Sequence, residues 1–174
     1  VGSTRSNIVL KDSRGRAKKT VSRHQMRTIN AIFHNLLEVS ELKSRLLIVE
    51  GSQPNAFAGP VDGQPTVGIT FAMLDLVDND QGEWAAILGH ELAHLKLDHS
   101  RKSVLRKLPI QILGAYVRSK TNHRRTINDV DLALKLFDTK FSRDQERASD
   151  YLGVIWAVES GYGAEGAPRF HGRL

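Results

Sequence analysis

The 174-residue sequence contains no cysteine. That excludes a disulfide framework, a thiolate-held metal and a cysteine nucleophile. Any metal ion here must be held by histidine and carboxylate. Long apolar runs are missing too. The stretch at residues 69–74 is among the longest, and a threonine already interrupts it, whereas a membrane-spanning helix needs about 20 apolar residues. No spanning segment is expected in these residues. The first residue is Val1, not Met, so a start that was processed or cut is expected, with any removed signal or anchor invisible.

Acidic residues are scarce at the beginning of the chain. Residues 1–30 hold eight basic side chains (Arg5, Lys11, Arg14, Arg16, Lys18, Lys19, Arg23 and Arg27) against Asp12 alone. The net charge of the whole is +6. Such a segment could touch an anionic membrane surface or nucleic acid. It lacks the interleaved aromatic residues on which bases stack, so no nucleic-acid partner is expected. Residues 1–20, rich in Gly, Ser and charge, read as an extended basic arm open to peripheral membrane association.

Apolar residues make up 40% of the chain, which excludes a disordered composition. The length suits one domain with a proper core, here 21–174. A helix is expected at 22–42, where Met26, Ile29, Ile32, Phe33, Leu36 and Leu37 recur at helical spacing behind Ser22 as N-cap. Residues 46–49 read as a strand. Residues 51–65 carry three Pro and three Gly, hence loops and turns around a short extended piece. A second strand is expected at 66–71, a helical turn at 73–76 and polar punctuation at 78–82. A long helix at 81–105 buries Trp84, Ile87, Leu88, Leu92 and Leu95. Pro109 interrupts an apolar segment at 108–117, and 118–127 is basic and loop-like. A helix capped by Asn128 follows at 128–139. The last long helix runs from 142 to 160 and stops at Gly161.

The chemistry concentrates at residues 88–99, L-G-H-E-L-A-H-L-K-L-D-H. On a helix, positions i and i+4 share a face. His90 and His94 can therefore present two imidazoles to one ion, and zinc accepts nitrogen and oxygen donors in tetrahedral array. Glu91 is rotated by about 100° from His90, close enough to serve as a base without being a ligand. A catalytic zinc takes three protein ligands and keeps one position open. His99, five residues after His94, has the wrong phase to be the third. Residues 142–153, S-R-D-Q-E-R-A-S-D-Y-L-G, offer Glu146 and Asp150, again at i and i+4. Glu146 fits a third ligand. Asp150 fits a carboxylate behind a ligating histidine, accepting its free N–H and fixing its tautomer.

With these motifs in hand, the chain resembles the M48 zinc metallopeptidases, a family of gluzincins, and looks most like its soluble envelope members. That family's second motif runs S-R-x-x-E-x-E-A-D-x-x-G. Ser142, Arg143, Glu146, Asp150 and Gly153 match it, while Ala148 and Ser149 stand where Glu and Ala are usual. Asn55-Ala56-Phe57-Ala58 resembles the family's edge segment before a strand. The resemblance spans roughly residues 20–172. It implies an α+β, zincin-like fold, mainly helical with a small flanking β-sheet. It implies one zinc ion per chain on His90, His94 and Glu146, with Glu91 as general base in peptide-bond hydrolysis. It implies that Asn55–Ala58 binds an extended polypeptide by strand addition.

The family's usual oxyanion donor lies beyond a helix that Gly161-Tyr162-Gly163 to Phe170-His171 resembles, so a chain cut short at its C-terminus is expected. His171 matches that helix and not the donor, with Tyr162 or Arg169 as substitutes. The expected function is a metalloendopeptidase acting on extended or misfolded proteins, membrane-associated ones among the candidates. The expected location is the bacterial envelope, in the periplasm, with the cytoplasm as the alternative. The alternative function is a non-catalytic zincin-like scaffold or chaperone that grips extended chains.

Overall fold

A computed structural model describes residues 7–11, 15–98 and 141–173 of the chain. His99, the apolar segment at 108–117, the basic stretch at 118–127 and the expected helix at 128–139 lie outside the described residues.

The first described residues, read from sequence as an extended arm, pair as a hairpin. Strand β1 (Asn7–Lys11) runs antiparallel to β2 (Ala17–Ser22), with Val9 opposite Thr20. The two-residue alternation explains it. Ile8 and Leu10 turn toward the core, and Val21 is buried in it. Basic side chains of β2 reach across to later elements, Lys18 to Glu50 at 3.2 Å and Lys19 to Asp75 at 2.7 Å.

Helix α1 (Arg23–Ser40) starts where Ser22 Oγ accepts the N–H groups of His24 and Gln25. Its buried stripe of Ile29, Ile32, Phe33 and Leu36 faces the core. It stops at Glu41, which takes the left-handed conformation (φ 55°).

A three-stranded sheet follows. Strand β5 (Gln64–Thr70) lies between β3 (Arg45–Val49), to which it is parallel, and β4 (Ala56–Val61), to which it is antiparallel. Asp62 and Gly63 both have positive φ (51° and 74°), the two-residue hairpin turn that an Asp-Gly pair favours. Phe57 stands opposite Gly68, and its ring occupies the space a side chain there would need. β4 is a sheet edge, and its Pro60, which cannot donate to a ladder, is compatible with that place.

Helix α2 (Phe71–Val77) is capped by Thr70, whose Oγ1 accepts the Met73 N–H. The same hydroxyl donates to the Gln53 carbonyl at 2.9 Å and accepts the Asn55 N–H at 3.0 Å. One side chain thus ties the loop before β4 to the start of α2.

Helix α3 (Gln81–Lys96), capped by Asp80, runs through the centre of the core and is buried on nearly every side. Trp84, fully buried, donates its indole N–H to the Asp78 carbonyl at 2.9 Å. The helix expected to continue to residue 105 ends at Lys96, because Leu97 caps it and Asp98 turns left-handed (φ 54°). Helix α4 (Arg143–Glu159) opens with a capping box in which Ser142 and Gln145 each satisfy the other's backbone N–H.

α3 and α4 cross at two glycines. A Cβ on Gly153 would lie 2.6 Å from the His90 backbone nitrogen, and one on Gly89 would lie 2.8 Å from the Gly153 carbonyl oxygen. Backbone therefore meets backbone beside His90. Helix α5 (Gly166–His171) closes the far end of α3, held by Arg169 on Asp80 and Arg173 on Glu83. Helix and sheet together give the mixed architecture expected of an α+β chain.

Candidate metal centre

His90 and His94 lie one turn apart on α3, and α4 brings Glu146 across to them. The two Nε2 atoms are 2.9 Å apart. Glu146 Oε2 is 3.4 Å from His90 Nε2, and Oε1 is 3.8 Å from His94 Nε2. Among the described residues these three form the group able to hold a metal ion, with one donor atom from each lying within 4.8 Å of the others. Zinc bonds to imidazole and carboxylate of about 2.0–2.2 Å set tetrahedral donors roughly 3.3–3.5 Å apart. The three separations bracket that value, so the donor set fits zinc in both chemistry and spacing.

The supporting contacts are as specific as the ligands. Nδ1 of His90 donates to Asp150 Oδ1 at 2.8 Å, one turn beyond Glu146 on α4. That bond directs Nε2 toward His94 and Glu146 and leaves its lone pair for a metal. His94 has 1% of its side chain exposed. Burial by itself would lower the His90 pKa. The hydrogen bond to Glu146 and the negative charges of Glu91, Asp150 and Glu146 outweigh it, and push the metal-free imidazole up to about 9.

Glu91 stands beside this group, buried and outside the donor set. Burial raises its carboxyl pKa to about 7. The Glu146 charge adds to the rise, and His90 opposes it. A carboxyl poised near neutrality can take up a proton and return it.

A cleft of about 410 Å³ opens over the centre. His90, Glu91, Glu146 and Asp150 line its polar side. Met73, Ile87, Val154 and Phe170 line the apolar side. Asn55 and Ala56 form part of its rim. Phe57 and Ala58, expected with them as one substrate-binding segment, are not among the lining residues, and their side chains are buried in the sheet.

The backbone of β4 nevertheless has a direction. Asn55 accepts the Thr70 N–H at 3.0 Å. In an antiparallel ladder the inward-bonded residues alternate with outward ones. Asn55, Phe57, Gly59 and Val61 therefore bond inward to β5, and the N–H and C=O groups of Ala56 and Ala58 point out along an edge that no described strand covers.

Two expected stand-ins for the oxyanion donor lie elsewhere. Arg169 binds Asp80 with contacts of 2.9 and 3.2 Å, and the Tyr162 hydroxyl accepts from Asn35 at 2.8 Å. His171 ends α5, as its place in the sequence suggested, and it also lines the cleft. Two neighbours of the centre carried no sequence signal. Met73 reaches the cleft from α2, and Phe141 stacks on His94 from the residue before the α4 cap.

Two helices carrying two histidines and a carboxylate beside an open cleft define the class, a candidate mononuclear metal centre. Comparison with known proteins makes it more particular. The sequence profile of peptidase family M48 matches residues 23–172. The chain belongs to that family. A relative described as "Protease HtpX homolog", from Methanopyrus kandleri, is 50% identical over 46 residues, which cover 26% of this chain and 14% of that protein. The matched part is thus a small fraction of the relative's length.

Proposed function

We propose that the chain is a zinc-dependent metalloendopeptidase with one zinc ion per chain, built on a zincin-like arrangement of α3, α4 and the edge strand β4. The observation that carries this reading is Glu91. A purely structural metal site has no use for a buried carboxyl of near-neutral pKa that adjoins the ligands and faces a cleft.

When bound, zinc supplies a Lewis acid that acidifies water and polarises a carbonyl. His90, His94 and Glu146 would hold it. Asp150 keeps the His90 ring in the tautomer that ligates. Glu91 takes the proton from the attacking water and delivers it to the leaving amine. Substrate backbone adds to β4, where Ala56 offers an outward N–H and C=O beside the cleft. That mode requires an extended chain, so unfolded or misfolded polypeptides are the substrates it favours. The excess of basic residues in the first 30 positions suits peripheral association with an anionic membrane, and we place the protein in the bacterial envelope. No helix among the described residues is long and apolar enough to cross a membrane.

The test is casein hydrolysis by zinc-loaded protein. Cleavage should vanish with a chelator and in Glu91→Gln, which keeps all three ligands. Equal rates in both proteins would point to a contaminating protease. No cleavage by zinc-loaded wild type would leave the non-catalytic scaffold as the better reading.

A further inference from the structure

The two ligating histidines are oriented by different means. His90 is turned by its hydrogen bond to Asp150. A histidine ring is free to sweep a broad, roughly two-fold torsion unless its surroundings stop it. At His94 one stop is aromatic. The Phe141 ring lies flat over the imidazole, with centroids 4.0 Å apart and planes 21° apart. Ring stacking has a preferred geometry and resists rotation of either ring.

The place of Phe141 in the chain gives the contact a second role. It immediately precedes Ser142, the N-cap of the helix that carries Glu146. In this position a side chain sets the angle at which the chain enters a helix. Here that side chain packs on a ligand of the opposite helix. The contact that fixes the His94 ring plane therefore also fixes where α4 begins, one turn before the third ligand.

We propose that Phe141 is a positioning residue of the metal centre, holding the His94 ring plane so that Nε2 converges with His90 Nε2 and Glu146. The inference rests on the metal-centre reading above.

The experiment compares wild type with Phe141→Leu, which keeps apolar bulk, and Phe141→Tyr, which keeps the ring. Zinc affinity is measured by chelator competition, and ligand geometry by the visible absorption of the cobalt-substituted proteins. Leu should weaken zinc binding by about tenfold, at the lower end of what is lost with a group that orients a ligand. It should also alter the cobalt spectrum, and Tyr should restore both. A Leu variant that matches wild type in affinity and spectrum would overturn this inference alone. Absence of zinc binding by wild type would overturn the metal-centre reading and this inference with it.

Should Phe141→Leu fail to fold, the His94 ring protons decide the matter in wild type. Upfield ring-current shifts support the stack, and unshifted resonances overturn it.

Discussion

Replacing Gly153 by Ala puts the packing of the centre to a test in which the sign alone is informative. Gly153 lies inside α4, where Ala is the better helix former by about 0.8–1.0 kcal/mol. On an open helix face the substitution would therefore stabilise the protein. Here the added Cβ would meet three backbone atoms, His90 N at 2.6 Å, Gly89 C at 2.8 Å and His90 Cα at 3.0 Å. Backbone cannot swing aside as a side-chain tip can. Reaching an ordinary 3.4 Å contact requires the helices to part by roughly 0.8 Å at this point. Overpacking of that kind costs about 1–3 kcal/mol. Set against the helix gain, a net destabilisation of up to about 2 kcal/mol is expected in urea unfolding.

The same displacement carries Glu146 away from the histidines, because it lies two turns before Gly153 on α4. Glu146 already sits 3.4 and 3.8 Å from their Nε2 atoms, so zinc affinity should fall along with stability. An Ala variant more stable than wild type, with unchanged zinc affinity, would refute the claim that the helices touch at their backbones.

Other consequences follow from the charges around His90. Asp150→Asn removes the carboxylate that orients the ring and should weaken zinc binding by about 10–100-fold in chelator competition. The metal-free protein should lose stability as pH rises from about 5 to 9. His90 is raised from 6.5 to about 9, so the stability its charged form contributes is complete below 6.5 and gone above 9. Glu91 is raised from 4.5 to about 7, so its preference for the neutral form acts in the same direction at lower pH. Zinc affinity should move oppositely, climbing with pH toward 9 as His90 gives up its proton. Thermal unfolding and zinc titration across that range check both signs.

The centre was legible in sequence because its spacing is local. His90, Glu91 and His94 lie within two turns of one helix, and Glu146 and Asp150 repeat the same one-turn step on another. Helix starts were equally readable, since Ser22 and Ser142 are caps whose bonds span two or three residues. The hairpin at the start was not. Its alternation of Ile8 and Leu10 is short, and the partners that neutralise its lysines, Glu50 and Asp75, lie 32 and 56 residues away. The role of β4 was half readable. Asn55–Ala58 was placed at an edge, but which of its amides face outward depends on the register with β5 and on the Asp62–Gly63 turn. Phe141 had no signal at all, because a ring stacked across two helices leaves no periodicity in either.

The central claim is that His90, His94 and Glu146 hold the metal while Glu91 stands free of it. X-ray absorption at the zinc edge, on wild type and Glu91→Gln, tests that claim most directly. The account predicts two imidazole nitrogens and carboxylate oxygen at about 2.0–2.2 Å, with one zinc per chain and the same spectrum from both proteins. A donor shell that changes in Glu91→Gln would make Glu91 a ligand, and would contradict the assignment of ligands and base alike.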